Sequence, residues 1–172
     1  MDICAMWTPD ESGWERLSAV RATLSGIAGT SPGFYPHISL GVYYGVDFDL
    51  IDERTRLLAR EARPFSVFFT GFRLVNPSVL VLEAANEGCI KHYHAAFHTQ
   101  LDEYADEWTR LSPYKYLPHS TMLNMSGRDF SVLEQVVQRD FLPFCIRIDK
   151  LQLSRSFEEE RYEILTTYDL KD

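Results

Sequence analysis

The chain has 172 residues, of which 45% are hydrophobic and 24% charged, and its formal net charge is −8. That length allows one well-packed domain or two small lobes on a shared core, and the composition is that of a folded chain, not a disordered one. No apolar run is long enough for a membrane helix, and the acidic balance argues against gripping a long nucleic acid, leaving a short anionic ligand in a locally positive pocket as the compatible partner. Cys4, Cys89 and Cys145 are odd in number and none sits at CxxC spacing, so a disulfide framework or zinc–thiolate site is not expected and a reducing compartment is. The first residues lack the basic-then-apolar pattern of a secretion signal, which points to the cytoplasm.

In chain order, residues 3–7 read as a short strand. Pro9 and Asp10 then open a helix carrying Trp14, Leu17, Val20, Leu24 and Ile27 at helical spacing, and Gly26, Gly29 and Gly33 mark its end and a loop. Residues 35–44 form a strand closed by Gly45, and residues 50–62 a helix stopped before Pro64. The β-branched and aromatic stretch 65–75 is a strand, the Asn76-Pro77-Ser78 turn follows, and 79–84 is the next strand. A third helix is expected over about 90–104, a strand over 116–125, a turn at Ser126-Gly127, and a fourth helix over 129–140. Residues 144–154 and 162–168 form a closing pair of strands joined by a charged connection over 155–161.

The two halves repeat one another. Tyr35-Pro36-His37-Ile38-Ser39-Leu40 matches Leu117-Pro118-His119-Ser120-Thr121-Met122 at an offset of 82 residues, and Arg63-Pro64-Phe65 matches Leu142-Pro143-Phe144 at an offset of 79. The order strand, helix, His-strand, helix, strand, strand occurs nearly twice, which argues for an internal duplication. The expected fold is therefore α+β: a two-lobed pseudo-twofold duplication over residues 1–172, its antiparallel sheets flanked by helices around a central cleft.

On a strand, residues two apart share a face, so His37 lies with Ser39 and His119 with Thr121. If the lobes meet about a pseudo-twofold axis, two imidazoles and two hydroxyls surround one phosphate-sized volume. The hydroxyls can donate to non-bridging oxygens while one histidine takes a proton and the other gives one, with no need for a metal or cofactor. The competing explanation is a pair of half-buried strand histidines whose neighbouring hydroxyls satisfy the backbone. Tyr43, counted onto the face of His37, and Tyr35 and Tyr116, at the strand entrances, are candidates for stacking on a base, with plain packing as the alternative. Lys115 and Arg155 could neutralise a phosphate but read more simply as solvated charges. His94 and His98, four apart in a His-rich helix, have metal-ligand spacing, yet Ala95 stands where a zinc protease motif needs glutamate and no third ligand is evident, so a solvated helix face is the expectation.

These features resemble the 2H phosphoesterase superfamily, which includes bacterial 2′-5′ RNA ligases and cyclic nucleotide phosphodiesterases. Its two H-x-[ST]-hydrophobic motifs match His37-Ile38-Ser39-Leu40 and His119-Ser120-Thr121-Met122, with Ser39 where threonine is frequent. The resemblance implies metal-free cleavage, or reversible formation, of a cyclic or 2′-5′ phosphodiester of a nucleotide or RNA end, with His37, Ser39, His119 and Thr121 as the catalytic tetrad; a cytoplasmic monomer without a cofactor is expected. The same cleft could serve a non-catalytic RNA-end or nucleotide-binding module. A metallohydrolase on His94 and His98, or a domain with no site at all, are the remaining readings.

Overall fold

The computed structural model describes residues 2–30, 35–157 and 161–171. In chain order these form β1 (Asp2–Pro9), α1 (Glu11–Ala28), β2 (Ile38–Tyr44), α2 (Phe48–Glu61), β3 (Phe65–Asn76), β4 (Val79–Ala84), α3 (Gly88–His98), β5 (His119–Asn124), α4 (Ser131–Arg139), β6 (Phe144–Phe157) and β7 (Arg161–Asp169). Gly33, expected in the first loop, and Glu158–Glu160, in the charged connection, lie outside the described residues.

The first ten elements fall into two runs of strand-helix-strand-helix-strand, β1 to β3 and β4 to β6, with β7 added. The sheet order is β2-β1-β6-β3-β4-β5, with β7 on β6, and every neighbouring pair is antiparallel. Each run therefore keeps its first two strands together and sends its third into the other half: β6 joins β1, and β3 joins β4. The order reads the same from either end through the β6–β3 pair, as a pseudo-twofold duplication requires. β2 and β5 end the path, yet they lie in contact, so the sheet curls until the strands that carry Ser39 and Thr121 meet.

Helix ends follow local chemistry. The Asp10 carboxylate caps α1 by accepting from the Gly13 amide at 2.8 Å, and Gly29 ends the helix at φ 66°, a left-handed turn that glycine adopts without steric cost. Asp47 caps α2, and the Asp129 carboxylate accepts from the Ser131 amide, which delays α4 by two residues relative to the sequence expectation. The third helix stops at His98, well before residue 104. There the chain turns so that Leu101 is buried and the Asp102 carboxylate accepts from the Leu111 amide at 2.7 Å.

One face of β1 carries Ile3, Ala5 and Trp7 into the core, where Trp7 packs on Phe65 and on Tyr93 of α3. Burying each large side chain of this kind contributes roughly 1.5–3 kcal/mol. Along α1, Leu17 and Leu24 are buried, whereas Trp14 and Ile27, counted on the same apolar stripe, are largely exposed. No helix among the described residues is long and apolar enough to cross a membrane.

Candidate active site

The two motifs reach the sheet in the same way. Pro36 and Pro118 precede the histidines, and β2 and β5 begin only at Ile38 and His119, later than the runs 35–44 and 116–125 suggest. Proline brings no N–H to a sheet ladder, so neither Pro36 nor Pro118 can donate there, although the Pro118 carbonyl still accepts from the Ala84 amide of β4 at 3.0 Å. Each ring instead folds back on its own chain: Nδ1 of His37 lies 2.6 Å from the Tyr35 carbonyl oxygen, and Nδ1 of His119 lies 2.6 Å from that of Leu117. A carbonyl can only accept, so each Nδ1 carries the proton and donates it. Both Nε2 atoms are thereby left with a lone pair, the form required of a proton acceptor. At His37 the Ser39 hydroxyl, 3.1 Å away, donates to that lone pair; among the described residues His119 Nε2 makes no hydrogen bond.

Each motif ends on a β-bulge. Ala5 and Met6 of β1 oppose Gly41 and Ser39 of β2, leaving Leu40 as the extra residue. Leu80 and Val81 of β4 oppose Leu123 and Thr121 of β5, leaving Met122. The two bulged residues are 82 apart, the offset of the histidines themselves. Bulges recur beside active sites because they re-aim side chains.

The bulge corrects one expectation. Counting in twos along β2 places Tyr43 with His37, but the extra Leu40 reverses the alternation, so that Val42 falls on the face of Ser39 and Tyr43 on the opposite one. Tyr43 is fully buried in the core, its hydroxyl 2.8 Å from His98 Nε2, and its ring is closed to a base. Tyr116 is also interior. It stacks on His94 with ring centroids 3.7 Å apart, and its hydroxyl donates to the Ser39 carbonyl at 2.7 Å, which rules out stacking on a ligand. Tyr35 contributes its carbonyl to His37 and stays half-buried.

The expected solvated histidine face is likewise corrected. His94 and His98 are fully buried, their rings tilted at 33° with centroids 4.1 Å apart, because α3 lies against β2: His98 Nε2 is 3.2 Å from the Leu40 carbonyl oxygen, and its Nδ1 is 3.3 Å from Asp102. Burial lowers the pKa of His94 to about 3. Among the described residues no group of three or more His, Cys, Asp or Glu is placed to hold a metal ion. Of the two suggested phosphate neutralisers, Arg155 pairs with Glu163, and Lys115 sits over the Trp108 ring at 5.2 Å.

Three residues that the sequence reading passed over stand at the site. Arg21 of α1 is buried, and its Nη2 donates to the Thr121 carbonyl at 2.6 Å. It lies one helical turn from Leu17 and from Leu24 on the buried stripe, and a charge in that position was the available signal. The Tyr162 ring of β7 packs edge to face with that of His37, centroids 5.8 Å apart. Glu83 of β4 is the register partner of His119. Burial first of all lowers the pKa of His37, to about 4, against the opposing pull of the Tyr35 carbonyl; the Arg21 charge and His119 lower it further. The two histidines are thus within electrostatic reach. Burial also lowers the pKa of His119, while the Leu117 carbonyl and the Glu83 carboxylate pull it back up. A 420 Å³ depression lined by Thr70, Gly71, Phe72, Glu83, Glu87 and Gln138 includes neither histidine.

A comparison with curated proteins finds no match. Solved structures share the fold throughout. A crystal structure of a phosphoesterase is 13% identical with a TM-score of 0.63, covering 99% of both chains. E. coli LigT complexed with NADP+ is 13% identical with a TM-score of 0.62, covering 99% of this chain and 97% of that one. Kluyveromyces marxianus Usb1 is 11% identical with a TM-score of 0.52, covering 98% and 97%. The profile of the 2′-5′ RNA ligase superfamily matches residues 9–159, a span that contains both histidine motifs, and the chain belongs to that family.

Proposed function

We propose that the protein is a metal-independent phosphodiesterase that opens cyclic nucleotide phosphates, or cleaves 2′-5′ phosphodiesters, by paired histidine catalysis. The observation that carries this reading is the matched tethering of the two imidazoles, each with Nδ1–H held by a carbonyl two residues back and Nε2 available for proton transfer. The complexes of E. coli LigT with NADP+, 3′-AMP and phosphate support a nucleotide-sized, phosphate-bearing ligand.

In this scheme the phosphoryl group lies between His37 and His119; the Ser39 hydroxyl turns from His37 Nε2 to a non-bridging oxygen, which frees that lone pair, and Thr121 donates to another. Both rings are neutral near pH 7 in the resting protein, since their pKa values are lowered. The entering anion favours protonation, and His119 takes the proton first because it faces Glu83, whereas Arg21 opposes charge on His37. Neutral His37 then removes a proton from the attacking water as the P–O bond forms. Protonated His119 delivers one to the leaving ribose oxygen as the other P–O bond breaks, and the product is a phosphomonoester. The same steps reversed join the ends again, with the two roles exchanged.

The test is incubation of the full chain with 2′,3′-cyclic nucleotides, a 1″,2″-cyclic phosphate and 2′-5′-linked dinucleotides in the presence of chelator, followed by phosphorus NMR. Conversion of a cyclic or diester resonance into a monoester resonance is expected. Binding without conversion across the whole panel would overturn the catalytic reading in favour of a nucleotide-binding module.

A further inference from the structure

We infer that Glu83 is a positioning residue that favours protonation of His119 when the substrate anion enters, and that Arg73 limits how strongly it does so. The inference rests on the phosphodiesterase reading above for its purpose, but its evidence is separate.

Glu83 and His119 are directly opposed in the β4–β5 ladder, and side chains of opposed residues share a face with Cβ atoms about 4.5–5.5 Å apart. Arg73 of β3 opposes Val81, two residues before Glu83 on β4, and reaches across diagonally, its Nη1 donating to Glu83 Oε1 at 2.9 Å. Three strands thus carry a line of cation, carboxylate and imidazole. The carboxylate attracts a proton to His119, and the guanidinium shares that carboxylate and weakens the attraction.

The first half lacks this device at the equivalent place. Trp7 opposes Ile38 in β1–β2, and continuing that register by one residue sets Thr8, neutral and buried, level with His37. The charge that acts on His37 is instead the Arg21 guanidinium, which disfavours protonation there. The duplication is therefore broken in the ladder beside the histidines: a carboxylate stands opposite one ring, and the other has a neutral threonine at that place and a guanidinium acting on it. The charged or titratable groups around His119 are Glu83 from β4, Arg73 from β3 acting through Glu83, Arg21 from α1 at Thr121, and His37 before β2.

The experiment is an NMR titration of ¹⁵N-histidine-labelled full-length protein, comparing the native chain with Glu83→Gln and Arg73→Gln. Both replaced side chains are partly exposed, and glutamine preserves the shape of Glu83. Glu83→Gln should lower the His119 midpoint by about half a unit to one unit, and Arg73→Gln should raise it by a smaller amount, with His37 moving less in each. Shifts of opposite sign distinguish charge tuning from structural disturbance, which would move both variants the same way. An unchanged His119 midpoint in Glu83→Gln, or same-sign shifts in the two variants, would overturn the inference. The readout needs no turnover, so a protein that titrates as expected but converts no phosphodiester would refute the enzyme proposal and leave this one standing.

Discussion

The Tyr116 hydroxyl donates to the Ser39 carbonyl across 2.7 Å, so the segment leading to the second histidine is bonded to the strand that carries the first. Arg21 makes the complementary link from α1 to the Thr121 carbonyl. The separation of the two motifs is set by these bonds as well as by the ladder. Tyr116→Phe should keep the stack on His94 but leave the Ser39 carbonyl without its side-chain donor. A stability loss of about 1 kcal/mol and a several-fold fall in kcat with little change in KM are expected, measured by denaturant unfolding and steady-state kinetics.

Gly41→Ala probes the bulge. A Cβ at residue 41 would lie 2.6 Å from the Tyr43 hydroxyl and 2.8 Å from its Cζ, and Tyr43 is fully buried against His98. The ring has no room to yield, so the variant should lose about 1–3 kcal/mol in thermal or denaturant unfolding.

Arg21→Met preserves much of the buried volume but removes the donor to Thr121 and the charge that disfavours protonation of His37. The His37 midpoint should rise in an NMR titration, and stability should fall by about 1–3 kcal/mol. A His37 midpoint that stays in place would show that burial alone governs that ring.

Four histidines, His37, His94, His98 and His119, bind protons less readily in the fold than in the unfolded chain, chiefly because burial penalises their charged forms. Below the ordinary value of 6.5 the unfolded chain therefore binds more protons, and stability falls as pH drops from there toward about 4 for His37 and about 3 for His94. Each histidine contributes up to ~1.4 kcal/mol per pH unit across its own window. Unfolding measured from pH 8 to pH 4 should show a plateau and then this decline. His94→Phe, which can retain the stack on Tyr116, should make the decline shallower.

The α+β class, the duplication and the order of elements were legible because period-2 runs, helical stripes and proline or glycine punctuation agreed along the chain. Both histidine motifs were legible from their repetition with proline in front. Tyr43 was misplaced because one bulged residue, Leu40, inverts every later side chain, and no residue type announces a bulge of that kind. His94 and His98 looked solvated because the burial of α3 against β2 depends on a long-range contact, seen only once His98 reaches the Leu40 carbonyl. Arg21 could have been recognised as a charge on an apolar stripe. Glu83 could not, since its importance lies in β4–β5 register, a property of two strands together.

The central claim is that His37 and His119 act as a pair on one phosphoryl group. The most direct measurement is turnover of a 2′,3′-cyclic nucleotide by His37→Ala and His119→Ala in the presence of chelator, with folding confirmed by circular dichroism. Each variant should lose about 10²-fold or more in kcat, the size expected when general acid or base catalysis is removed. Native turnover in either folded variant would contradict the account.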